Sequence, residues 1–259
     1  MYSPAVPAPE TAETHSSELP RSELWLFGVT IFLGAFLLFQ VQPVIGKYIL
    51  PWFGGTPGVW TTCLLFFQCL LLGGYAYAHW LSQLAPRQQV QIHLTLLGIV
   101  GVILGGVFLS MIGGLSPIEW LKPDPATAAD RPVLGILTLL VVGIGLPYLV
   151  LSSTGPLIQA WFVRKYEGRS PYRLYALSNV GSLLALITYP FLVEPYTTRG
   201  LQVGAWAFGM VGFAVVCGWL ARSIRRIPEV GTKSESKSQV KAPDLKRQLL
   251  WLLLPACGT

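Results

Sequence analysis

The chain has 259 residues, 53% of them hydrophobic and only 12% charged, against about 25% charged in soluble domains. Its 18 basic and 12 acidic residues are confined to intervals between long apolar runs, a distribution that excludes a single water-soluble core under a charged shell. The net charge of +6 belongs to those intervals, where positive charge beside membrane spans sets topology, so nucleic acid is not expected as a partner.

Residues 1–22 are rich in Pro, Ser, Thr and Glu without hydrophobic periodicity and read as a disordered cytoplasmic tail rather than a signal peptide. A helix crossing the hydrocarbon core needs about 20 apolar residues, because no backbone amide can go unpaired there. Six such runs recur over residues 23–222, which predicts an all-α, polytopic transmembrane bundle in contact with the lipid bilayer.

The first run is Leu24 to Gly46, and a turn over Pro51-Trp52-Phe53-Gly54-Gly55-Thr56-Pro57-Gly58 leads into the second, Val59 to Leu81. These two form a helical hairpin. The third covers Val90 to Ile112, the fifth Leu174 to Val193 and the sixth Leu201 to Ala221. The fourth, Pro132 to Val163, is charge-free for 32 residues and too long for one untilted crossing. Pro147 and the cluster Ser152-Ser153-Thr154-Gly155-Pro156 predict a kink in it, with Leu157 to Phe162 turning along the cytoplasmic interface and Trp161 at headgroup depth.

Residues 223–247 read as a basic cytoplasmic linker. Residues 248–259 begin like a seventh span but are too few to cross, so the chain reads as the first half of a longer protein whose C-terminal half is a missing partner. With the N-terminus placed inside, Arg21, Arg87, Arg164, Lys165, Arg169, Arg173, Arg222 and seven linker cations fall on the cytoplasmic side, leaving Lys47, Lys122, Arg131 and Arg199 outside. That asymmetry predicts a multi-pass protein of the inner membrane with both the N-terminus and the linker in the cytoplasm.

Helices pack in lipid through small residues, and Gly101-xxx-Gly105, Gly200-xxx-Gly204, Ser178-xxx-Ser182 and Gly181-xxx-Ala185 supply the spacing. Polar side chains inside spans are costly unless paired or wetted, so each is a candidate for function. On the fifth span Tyr175, Ser178, Asn179 and Ser182 make one helical stripe, and on the second Thr61, Gln68, Tyr75 and His79 share a face. Two readings are open: these groups bond neighbouring helices together, or they line a cavity between the stripes that takes a ligand. Gln40 and Gln42 lie about 200° apart around the first span, so at most one of them can line it; Gln40 is the candidate. Lys47 snorkels toward the interface, and Glu194, before Pro195, is its expected partner across the outer rim.

His79 and His93 flank the loop between the second and third spans but do not amount to a metal site, and none is expected. Cys63, Cys69, Cys217 and Cys257 all lie in apolar stretches without CxxC spacing and read as small buried side chains. Gly143-Ile144-Gly145 lies within a span, lacks the third glycine of a dinucleotide fingerprint and follows no strand. There is no phosphate loop, HExxH or GxSxG, so no catalytic residue and no cofactor is expected.

Three stretches carry a more specific signature. They are Phe39-Gln40-Val41-Gln42-Pro43-Val44-Ile45-Gly46-Lys47 continuing through Leu50-Pro51-Trp52-Phe53-Gly54-Gly55-Thr56-Pro57-Gly58-Val59-Trp60-Thr61-Thr62-Cys63; Ser152-Ser153-Thr154-Gly155-Pro156 up to Trp161-Phe162; and Pro171-Tyr172-Arg173-Leu174-Tyr175-Ala176-Leu177-Ser178-Asn179 on to Glu194-Pro195. In these the chain resembles the bacterial fused major-facilitator/spermidine-synthase-like integral membrane proteins. The resemblance implies six spans like the N-terminal half of a major-facilitator-type transporter. It also implies, in some members, a soluble domain that transfers aminopropyl groups from decarboxylated S-adenosylmethionine, of which this chain has no part. The loop Leu81-Ser82-Gln83-Leu84-Ala85-Pro86-Arg87-Gln88-Gln89 departs from ordinary facilitators, whose corresponding loop carries a charged Gly-x-x-x-Asp-Arg type motif.

The expected function is a transporter-like module that binds or moves a small polar metabolite, polyamine-related as the resemblance implies, with Tyr175, Tyr75 and Trp60 available for cation–π contacts. The alternatives are a membrane-anchoring domain for a spermidine-synthase-like enzyme and a purely structural bundle.

Overall fold

The computed structural model describes residues 21–114, 121–123, 130–166 and 168–225. Most of the expected tail, almost all of the basic linker and the start of a seventh span, with His15 and Cys257, lie outside the described residues.

Six helices follow from the six apolar runs: α1 (Arg21–Phe53), α2 (Pro57–Ser82), α3 (Pro86–Ile112), α4 (Pro132–Lys165), α5 (Tyr172–Tyr196) and α6 (Arg199–Arg225). The shortest, α5, has 25 residues, about 37 Å at 1.5 Å per residue, so every one is long and apolar enough to cross a bilayer. Among the described residues there is no strand. The chain is a polytopic all-α membrane protein.

Helix starts are set by proline. Pro57, Pro86 and Pro132 each occupy the first turn, where the missing N–H costs no hydrogen bond. The link between α1 and α2 is shorter than the sequence suggests, because α1 continues through Pro51, Trp52 and Phe53. The chain then reverses at Gly54, whose φ of +80° is strained for any residue with a Cβ.

Proline is also absorbed inside the spans. In α4 a π-helical turn, Val141–Gly145, precedes Pro147, and in α5 a second one, Tyr189–Val193, contains Pro190. A widened turn re-routes the hydrogen bonds that proline interrupts. Beyond Pro156 the helix does not break or turn along the interface; it runs unbroken to Lys165, which corrects the sequence expectation. The hydroxyls of Ser152, Ser153 and Thr154 turn back onto the carbonyls of Leu149 and Val150 at 2.8–2.9 Å, so this polar cluster is satisfied within its own helix. Trp161 is fully buried within the bundle. Its indole N–H donates to Gln89 Oε1 at 2.9 Å, which removes the reason for the ring to seek the interface.

α1 is the central helix, packed against α4, α5 and α6, while α2 packs on α4 and α3 on α6. In the most apolar stretch of α1, 50% of residues are buried, against 17% in α3 and α5, which therefore present most of their surface outward. The α1–α5 seam depends on Gly181: a Cβ there would stand 2.7 Å from the Phe32 carbonyl oxygen. The α2–α4 seam depends on Gly74, where a Cβ would lie 2.8 Å from the Ser152 Cβ. Gly200 and Gly204 lie against Met111 of α3, whereas Gly101 and Gly105 face open space.

The bundle has two ends. At one, Glu23 of α1 pairs with Lys165 of α4 at 2.6 Å and accepts a hydrogen bond from Tyr166, Lys165 also reaches Ser223 of α6 at 3.4 Å, and Arg164 donates to the Ser82 carbonyl of α2 at 3.2 Å. Gln89 closes the α2–α3 loop there by donating to the carbonyls of Ser82 and Leu84 at 3.2 and 2.7 Å. At the other end lie Lys47, Glu194 and Arg199.

Candidate functional site

A groove of about 400 Å³ at the Lys47 end, walled by α1, α2 and α5, combines polar chemistry with open space. Gln42 and Lys47 come from α1, Trp60 from the first turn of α2, and Tyr189 and Glu194 from the π-helical turn of α5 and the residue after it. Gly46 lies against Trp60, where a Cβ would sit 3.5 Å from the indole ring, in ordinary van der Waals contact.

The structure brings Lys47 and Glu194 together: Nζ stands 3.2 Å from Oε1. The ammonium also lies over the Tyr189 ring, 5.9 Å from its centroid. The Tyr189 hydroxyl is 3.2 Å from both the Pro43 carbonyl oxygen and Gln202 Oε1, and donates to one at a time. Pro43 and Tyr189 are thereby linked across the α1–α5 seam beneath the ion pair. The π turn that absorbs Pro190 thus also places Tyr189 and Glu194 against α1.

The groove's glutamine is Gln42, half-buried and donating through Nε2 to the Tyr148 hydroxyl of α4 at 3.2 Å. The Tyr148 ring in turn packs on Phe67 of α2, with centroids 5.1 Å apart. Gln40 lies instead on the buried stripe of α1 with Leu37, Val41 and Val44, and its Oε1 has no partner among the described residues. Sequence reasoning singled out neither Gln42, Tyr148 nor Tyr189. No sequence signal separated the two glutamines, since Gln42 also has apolar neighbours one turn away in Leu38, Phe39 and Ile45.

The two polar stripes are not packed on each other, because α2 packs on α4 and α5 on α1. Thr61 is exposed and donates to the Pro57 carbonyl at 2.9 Å, within its own helix. Gln68 and Tyr75 are exposed on α2, and Tyr175 and Asn179 on α5, with Ser178 and Ser182 half-buried. Ser182 donates to the Asn179 carbonyl at 2.9 Å. Gln68 stands one turn beyond Leu64, and Ser182 two turns before Tyr189, so both continue the walls of the groove along the helix axis. None of the stripe residues lines the groove itself, which takes its polar groups from Gln42, Lys47, Tyr189 and Glu194.

Other buried polar groups lie apart from this groove. His93 is completely buried between Tyr77 and Trp161, with ring centroids 6.2 and 6.1 Å away, and both its ring nitrogens lack a partner among the described residues. His79 is exposed and its Nε2 is 3.0 Å from Gln83 Nε2, so the two histidines belong to different surroundings.

An ion pair with one partly exposed member on each wall, an aromatic ring beneath it and a glutamine deeper in the groove can hold a small solute bearing hydrogen-bond donors, acceptors or a charge. Comparison with protein-family models, with curated proteins and with solved structures finds no match to this chain.

Proposed function

We propose that this integral membrane protein is a transporter-like module that binds or moves a small polar metabolite through the groove of α1, α2 and α5. The observation that carries the reading is the groove that Gln42, Lys47, Tyr189 and Glu194 line together. Polar groups at membrane depth are costly against lipid, so a face that keeps several of them is suited to water, a solute or a second bundle. The resemblance to fused major-facilitator/spermidine-synthase-like proteins supports a polyamine-related amine as the solute and a location in the inner membrane. The excess of Lys and Arg at the Glu23 end supports placing that end in the cytoplasm.

The test is binding of labelled spermidine, putrescine, amino acids and sugars to the purified chain in nanodiscs. At least one solute is expected to bind saturably to the wild type and to lose at least about tenfold in affinity in Lys47→Gln or Glu194→Gln, the scale of one charge-assisted hydrogen bond. Absence of saturable binding across the panel, or binding indifferent to both substitutions, overturns the reading.

A further inference from the structure

A second groove, of about 490 Å³, lies at the opposite end of the molecule between the start of α1 and the end of α6. Its lining is graded along the helix axis. Ser22, Arg222 and Ser223 stand at the tip, Trp25 and Trp219 one turn further in, and Leu26, Val29 and Val216 deepest. From Ser22 to Val29 the rise is about 10 Å at 1.5 Å per residue. Polar tip, aromatic belt and apolar floor follow the order of phosphate, glycerol and acyl chain in a phospholipid, and tryptophan favours the level between headgroup and hydrocarbon.

Both tryptophans are free of the core: Trp25 is 73% exposed and Trp219 67% exposed, one on each wall. The charge at the tip is unbalanced. Glu23 also lines the groove, but its carboxylate is already held by Lys165 at 2.6 Å and by the Tyr166 hydroxyl. Arg222 is exposed and, among the described residues, has no carboxylate partner. Among the described residues one positive charge, that of Arg222, is left at the tip of the groove. A planar guanidinium binds a phosphate through two parallel hydrogen bonds.

We propose that this groove binds one anionic phospholipid, with its phosphate on Arg222, its glycerol backbone between Trp25 and Trp219, and the upper part of an acyl chain along Leu26, Val29 and Val216. The apolar floor selects lipid over a free phosphate ester. Choline, by screening its own phosphate and bringing a cation toward Arg222, disfavours a zwitterionic headgroup.

The test places the full chain in nanodiscs containing phosphatidylglycerol or phosphatidylcholine with a photoactivatable diazirine high in the acyl chain, at equal mole fraction. Cross-linked residues are mapped by mass spectrometry. Labelling around Leu26–Val29 and Val216 is expected to be about fivefold stronger with phosphatidylglycerol, the factor to which about 1 kcal/mol from one basic residue at an anionic surface corresponds. Arg222→Gln is expected to bring it to the phosphatidylcholine level, and Arg222→Lys to retain a phosphatidylglycerol preference. Equal labelling by the two lipids in the wild type, or a ratio unchanged in Arg222→Gln, overturns the proposal. So does full displacement of the label by millimolar glycerol phosphate, which would make the occupant a soluble phosphate ester.

Discussion

Lys47 Nζ and Glu194 Oε1 stand 3.2 Å apart at the α1–α2–α5 groove, joining two helices that also meet at Gly181 against Phe32 and at the Tyr189 hydroxyl on the Pro43 carbonyl. Their side chains remain 23% and 47% exposed. An ion pair that open contributes only about 0–1 kcal/mol to stability. Its chemistry is therefore available to a solute at little structural cost.

The pair separates stability from binding. Lys47→Gln and Glu194→Gln are each expected to shift unfolding by less than about 1 kcal/mol, whereas solute affinity falls at least about tenfold. Thermal melts and binding isotherms on the same samples check this. A large loss of stability with unaltered binding would assign the pair to the scaffold.

Gly181 and Gly101 distinguish a helix seam from an open face. Gly181→Val forces a side chain into the Phe32 carbonyl and is expected to cost about 1–3 kcal/mol, while Gly101→Val meets open space and stays within about 0.5 kcal/mol. Melting temperatures of the two variants in the same detergent measure the contrast. Equal destabilisation would contradict the packing of α5 on α1.

Gln89 bonds three elements at once, through Trp161 on α4 and the carbonyls of Ser82 and Leu84 in the α2–α3 turn. Gln89→Leu leaves the buried indole N–H without its acceptor and is expected to destabilise by about 1–3 kcal/mol. Trp161→Phe removes that N–H, so the double variant is expected to be less damaged than the sum of the singles. Strict additivity in the double-mutant cycle would show that the bond carries no coupling.

Tyr166 provides a pH-dependent contact outside the spans. Burial, then the hydrogen bond to Glu23 and the charge of that carboxylate, raise its phenol pKa above the ordinary 10.0. A folded pKa above the unfolded one gives stability that is fully present below pH 10 and is lost as pH rises through the folded value. The stability difference between wild type and Tyr166→Phe is therefore expected to be constant from pH 7 to about 9.5 and to shrink above it. A difference that changes between pH 6 and 8 would point to another titrating group.

The number, order and approximate limits of the six spans were legible in the sequence, because the drive to bury about 20 apolar residues in lipid is a sum over neighbouring residues. Glu194 could be paired with Lys47 on paper for a similar reason: two opposite charges at matching depth have few other places to go. What a helix presents to its neighbour is a different quantity. Gln40 and Gln42 are alike in type and depth, yet Gln40 falls on the aliphatic stripe that the bundle buries and Gln42 on the groove. Gly101 and Gly105 carry the packing spacing but face open space, while Gly74, in the Gly74-xxx-Ala78 pair, meets Ser152 closely.

Sequence by itself thus determined the membrane environment, the helical class and the uneven spread of positive charge, all properties of single segments. Tertiary structure alone decided that Trp161 is buried on Gln89, that α2 and α5 keep their polar faces uncovered, and that Tyr189 swings under Lys47. Each of these depends on which helix lies opposite, and the chain fixes that partner only when every apolar face is packed at once.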